Sequence, residues 1–405
     1  MKSFLRIAGI ATLALSFGEL GLGQQYVQTN LLSNPKGITE ATDPQLANPW
    51  GLTRTSTSEW WVSDEQTGVS TLYNGLGQKK SLVVTIPPAD PTNKKTPIGS
   101  PTGTVSNNSE TDFLLAPGHP AIFIFATADG SIAAWNPKIG LEKGVAPSST
   151  STLAITEVTA SEGSAYTGLT IAAIDGKRYL YAANFNKGTI DVYDTAFQPV
   201  HLHKEHYDHD FDDDFSWTDN EPFEDPRLPP NFVPFNVQAI GNDVVVTYAL
   251  HEEGNPLETD GPGLGYVDIY SSRGRLLRRL EHGDWLNAPW GVALAPLDFG
   301  RFSHDLLIGQ FAGAGTFQSS GFIVAYDLAT GKLDGLLQDQ SGKPLAINGI
   351  WSLVPANAAG ASADPNNPSA ASQIYFTAIP AAQGAKGLFG YLTAAPTELI
   401  EGSVQ

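Results

Sequence analysis

One short phrase recurs along this chain and restricts its fold more than any other feature. Asn287-Ala288-Pro289-Trp290-Gly291-Val292-Ala293-Leu294 repeats Asn48-Pro49-Trp50-Gly51-Leu52 from far upstream. Looser versions stand at Pro101-Thr102-Gly103-Thr104-Val105, Tyr166-Thr167-Gly168-Leu169-Thr170, Pro234-Phe235-Asn236-Val237 and Asn348-Gly349-Ile350-Trp351-Ser352-Leu353. Each is followed by further β-rich runs, with Thr67-Gly68 and Asn74-Gly75 marking turns in the first repeat. The glycines or their equivalents fall at 51, 103, 168, 236, 291 and 349, every 52 to 68 residues. Solenoid repeats are shorter, and units of this size bury their faces against neighbours set in a ring. The expectation is an all-β protein, a six-bladed β-propeller of four-stranded antiparallel blades.

The inner strands are expected at 50–53, 103–105, 168–173, 236–240, 291–295 and 350–354, each leading outward through its own blade. The second blade is expected to end in an outer strand at 152–155, and the third in an irregular segment near Val200. The sixth repeat supplies only three strands, at 350–354, 374–377 and 388–392. An open ring would expose an unpaired strand edge. Gln25–Leu32 alternates like a strand without a local partner, so it is expected to become the outermost strand of the last blade and close the ring. With no cysteine in the chain, no disulfide can do so.

Charged residues are 16% and hydrophobic residues 41% of the 405, with 41 Gly and 28 Pro, the profile of a turn-rich globular protein. The net charge of −19 argues against a nucleic-acid partner and against an anionic membrane surface. Lys2 and Arg6, the apolar run Ile7–Phe17 and the small residues Gly21-Leu22-Gly23 read as a signal peptide over 1–23. The expected mature chain, 24–405, is a single-domain monomer, secreted or periplasmic, with no membrane span. Asn107-Asn108-Ser109 is a glycosylation sequon in a polar stretch, making Asn107 a candidate sugar acceptor.

Residues at the leading ends of the inner strands should ring one mouth of the central channel. Trp50, Asn236, Trp290, Asn348 and Trp351 are so placed, and Asp64 and Asn184 follow second strands at matching positions. Asn and Asp oxygens suit Ca²⁺ or another hard cation, and tryptophans can stack on a sugar or a flat ring. Asn and Trp at a repeat start also serve as turn formers and blade packing. A second candidate is the long connection between blades three and four, an acidic His/Asp-rich insertion at 201–225. There His201, His203, His206 and His209 stand with Asp208, Asp210 and Asp212 at spacings that could hold Zn²⁺, Cu²⁺ or Ni²⁺. The same aspartates open like a calcium loop, but Asp213 occupies the position where the turn needs Gly. A solvated acidic loop is the competing reading. His251-Glu252 lacks a second His at Asn255, and no Gly-x-Ser-x-Gly elbow exists.

Several of these phrases resemble an uncharacterised family of exported six-bladed propellers. They are Thr42-Asp43-Pro44 with the Trp50 phrase, Gly68-Val69-Ser70-Thr71-Leu72-Tyr73, Phe123-Ile124-Phe125-Ala126-Thr127, Ile132 with Trp135-Asn136-Pro137, and the Asn236 and Trp290 phrases. The resemblance covers nearly all of the mature chain and implies fold and export. In blade architecture the chain more distantly resembles gluconolactonase, strictosidine-synthase-like and NHL-repeat propellers. The lactonases among them hold a divalent cation with Glu, Asn and Asp, for which Asn236, Asn348, Asn184 and Asp64 are the analogues here. No Glu stands at the first inner strand to complete that set. Three functions follow as expectations: a binder of a small or glycan-like ligand at the channel mouth, a Ca²⁺-dependent lactonase or esterase, and a scaffold for protein partners.

Overall fold

The computed structural model describes residues 24–141, 144, 146, 148–203, 221–311, 321–356, 370–380 and 386–396. Six antiparallel sheets succeed one another along the chain, and each inner strand abuts the inner strand of the next. The inner strands are Pro49–Thr53, Pro101–Ser106, Tyr166–Ile174, Phe232–Ile240, Pro289–Leu294 and Ile350–Pro355. The first, second, fourth and fifth blades have four strands from one stretch of chain. The third has three regular strands, and its outer edge is finished by Pro199 bridging to Tyr193 and the Val200 amide donating to the Val192 carbonyl. The protein is a six-bladed β-propeller.

Closure uses both ends of the chain. Tyr26–Ser33 pairs antiparallel with Leu388–Ala394, from Tyr26 opposite Ala394 to Ser33 opposite Leu388. It becomes the fourth strand of the sixth blade, outside Leu388–Ala394, Ile374–Ala378 and Ile350–Pro355. Tyr26 then reaches the fifth blade: its ring packs on Phe299 and Phe302, its hydroxyl donates to the Phe299 carbonyl, and its amide donates to the Gln338 carbonyl. The strand thus latches two blades, through backbone bonds on one and an aromatic anchor on the other.

Propeller blades bury both faces, so their middle strands lose the polar alternation of a one-sided sheet. Trp60–Asp64 is buried throughout. Trp60 faces back to the sixth blade, stacked on Tyr375 at 4.4 Å, while Trp61 faces forward to the second, stacked on Phe123 at 4.0 Å. One strand thereby feeds two interblade cores. Outer strands such as Lys79–Thr85 return to mixed exposure.

One outer strand departs from expectation. In the second blade it is Ile155–Thr159, three residues later than 152–155. Residues 152–154 instead join the first blade: Leu153 forms an isolated bridge with Thr85, the Thr85 amide donates to the Thr152 carbonyl, and the Ala154 amide to the Thr85 carbonyl. Turn chemistry places the run, and competition between two neighbouring edges decides which blade it joins.

A candidate ligand cavity in the channel

All six inner strands carry a register irregularity against their second strands at the repeated phrase, within 49–52, 101–104, 166–168, 234–236, 289–291 and 350–353. A bulge bends its strand and increases the local twist. Here it lets neighbouring inner strands meet backbone to backbone. A Cβ on Gly51 would lie 2.5 Å from the Thr102 carbonyl oxygen, and one on Gly103 2.6 Å from the Leu169 nitrogen. In the fourth blade Asn236 takes the place of the glycine and bridges blades, its Nδ2 donating to the Trp290 carbonyl at 2.7 Å. The result is a throat: Gly51, Gly103, Asn236, Trp290 and Ser352 surround a void of about 20 Å³, room for about one water.

On the leading-end side of this throat the channel is filled by aromatic rings. Trp50 stacks on Trp351 at 3.5 Å, Trp351 stacks on Phe311 at 4.0 Å, and Trp290 meets both tryptophans edge-on. Phe235, Phe185 and Ile379 complete the cluster. Trp290 is 4% exposed and Trp351 2%. Two of the indoles are pinned by hydrogen bonds, Trp290 Nε1 to the Thr167 carbonyl and Trp351 Nε1 to Asn48 Oδ1. The rings named above as a stacking platform are therefore packed against one another.

The candidate polar residues are dispersed among the blades. Asn184 is buried; its Oδ1 accepts from the Ala165 amide and its Nδ2 donates to Ser164 Oγ and Asp191 Oδ2. Asp64 is also buried and accepts from Thr71 Oγ1 at 2.6 Å. Its other oxygen has no partner among the described residues, and burial raises its carboxyl well above the ordinary carboxylate range. Asn348 donates to the Pro380 carbonyl. Asn107 is 5% exposed, and its Nδ2, the atom a glycan would use, donates to the carbonyls of Asp112 and Ala121. A sugar there would need that amide released and brought to the surface. His201 and His203 lie in the described chain, whereas His206, His209, Asp208, Asp210 and Asp212 fall outside the described residues. Among the described residues no three His, Asp or Glu side chains group as a metal site.

On the trailing-end side the channel opens. A cavity of about 690 Å³ is bounded by the last residues of all six inner strands. Leu52, Leu169, Val292 and Leu353 form apolar wall, Thr104, Thr170 and Gln238 supply hydrogen-bonding groups, and Arg54, Arg178 and His304 bring charge or its potential. Gln238 borders both the cavity and the small void, so it stands at the floor. Arg178 is held from behind, its Nη1 donating to Asn107 Oδ1 at 2.6 Å and facing Asp112 at 3.3 Å. Sequence reasoning did not find these residues, because neither arginine sits in a recognisable motif and 124 positions separate them.

No family model matches the chain. It is 27% identical over 354 residues to an uncharacterized protein of Acanthamoeba polyphaga mimivirus, spanning 87% of this chain and 79% of that one. A second uncharacterized mimivirus protein is 27% identical over 329 residues, spanning 80% and 77%. A third is 32% identical over 235 residues, but this chain spans only 38% of its length. Similar solved structures include virginiamycin B lyase from Staphylococcus aureus, at 10% identity and a TM-score of 0.42 over 91% of this chain and 99% of that one. Glucose dehydrogenase follows at 11% identity and a TM-score of 0.46, again over 91% and 99%. At these values the likeness to both is one of fold.

Proposed function

We propose that this protein is a ligand-binding propeller that takes a small molecule into the trailing-end cavity of its channel. The observation that carries this reading is the shape of the channel: a cup of about 690 Å³, closed below by a throat with space for about one water. Ligand sites of roughly 300–1,000 Å³ with mostly apolar walls and a few placed polar groups are the usual form. The reading keeps the binder expected from the sequence and moves its ligand to the other mouth. It includes export, on the strength of the signal-like residues 1–23. A lactonase would need Asn and Asp oxygens gathered on one ion. Asp64 and Asn184 are instead bonded within their own blades and do not fit that ligand set.

Gln238→Trp tests the proposal. Among the described residues the Gln238 Nε2 donates only to the carbonyl of the next residue, so the substitution adds bulk to the cavity floor at little cost to the fold. In a fluorescence or thermal-shift screen of small organic molecules, hits of the natural chain should be lost in this variant while its melting temperature stays close. Hits retained by Gln238→Trp would place the ligand elsewhere.

A further inference from the structure

The charge around the cavity is unlike that of the rest of the molecule. The chain carries 42 acidic against 23 basic residues, yet among the described residues no Asp or Glu lines the cavity, whereas Arg54, Arg178 and His304 do. Arg54 is only 3% exposed and forms no ion pair among the described residues. Its Nε and Nη2 donate to the carbonyls of Thr55 and Ser56, its Nη1 is buried without a partner among the described residues, and its guanidinium lies over the Trp60 ring at 5.4 Å. A buried cation without a counterion is costly, and a bound anion nearby would offset that cost. Arg178 supplies the contact. Asn107 and Asp112 both hold its Nη1, and its Nε and Nη2 have no partner among the described residues. A guanidinium already anchored at one nitrogen loses less freedom when the other two bind a planar anion.

Resting on the proposed cavity, the geometry points to an amphipathic organic anion as its ligand. The apolar body lies on Leu52, Leu169, Val292 and Leu353, and a carboxylate or similar group is held by Arg178 in the field of Arg54. Binding here is non-covalent, and the low-dielectric wall strengthens the charge interaction.

Three probes with one apolar body and different heads test this: decanoate, decanol and decylamine, titrated calorimetrically into the full chain at about pH 8. Decanoate should bind about tenfold or more tighter than decanol, and decylamine more weakly than either. Arg178→Gln, at a partly exposed site, should fold with a modest loss of stability and lower the decanoate affinity about tenfold, to near that of decanol. Added salt should weaken decanoate alone. Equal affinity for decanoate and decanol, a preference that survives Arg178→Gln, or no detectable decanoate binding would overturn the inference. Gln238→Trp separates it from the reading on which it rests. If the three probes bind equally and all are lost in that variant, the cavity stands and the anion preference falls. If decanoate still binds, the cavity itself is the wrong place.

Discussion

At the leading ends of the inner strands Trp50, Trp290, Trp351 and Phe311 pack ring against ring, whereas at the trailing ends the same six strands stand apart around a cavity. The two ends share every strand and differ in side chain and in spacing. The bulges pinch the strands together at the throat, and twist then spreads them beyond it. Large flat rings fill the space on one side, and Leu, Val, Thr and Gln leave it open on the other. Repetition in the sequence therefore marks the structural end of the channel. The candidate ligand end is built from positions where the repeats differ, as Arg54 and Gln238 do.

Several measurements can break or sharpen this contrast. The largest effect is expected from Trp351→Ala, which removes a buried ring stacked on two others and should cost about 3–5 kcal/mol. Denaturant unfolding measures it, and binding of a cavity probe should persist in the folded fraction. A small loss of stability with loss of binding would reverse the roles of the two ends. Gly103→Ala probes the throat between them. The new methyl meets the Leu169 backbone, which cannot swing aside, and about 1–3 kcal/mol of overpacking should follow. An unchanged melting temperature would mean that the strands are not pinched there.

A smaller effect concerns three buried or half-buried carboxylates outside the cavity lining. Burial pushes Asp268 up to about 7, with Arg279 opposing and Asp225 adding to the rise, and pushes Asp260 and Asp305 up to about 6. Unfolded carboxylates titrate near pH 4, so the folded protein binds more protons than the unfolded chain between these values. The stability these groups contribute is fully present below about pH 4 and is lost as pH rises through about 6 to 7. Thermal melts should therefore run higher at about pH 5.5 than at about pH 8, and Asp268→Asn should reduce the difference. The smallest effect is Arg178→Gln on stability, about 0.5–1.5 kcal/mol, because its hydrogen bond to the buried Asn107 is lost. A large loss there would make this arginine a structural strut.

The repeat was legible because blade geometry constrains composition locally. A phrase of Pro, Trp and Gly signals a strand start, a ring that packs and a backbone that must approach its neighbour. The closing strand was legible for the opposite reason, as an alternating segment with no local partner. The hairpin of Leu114–Ala116 with His119–Pro120, inserted after the second inner strand, was not foreseen, since three- and two-residue strands leave too short a pattern. Asn107 shows the same limit for the site. As a sequon it reads as a surface residue, but folding buries it and gives its oxygen to Arg178.

The sequence by itself determined the number of blades, the order of their strands and the means of closure, because each depends on contacts between segments adjacent in the repeat or on an edge that must be covered. Which mouth is packed and which is open was decided by the tertiary structure. So was the meeting of Arg54 and Arg178, two blades apart, around one cavity. Those outcomes depend on how far six bulged strands converge and then separate, and that distance is set by all the blades together.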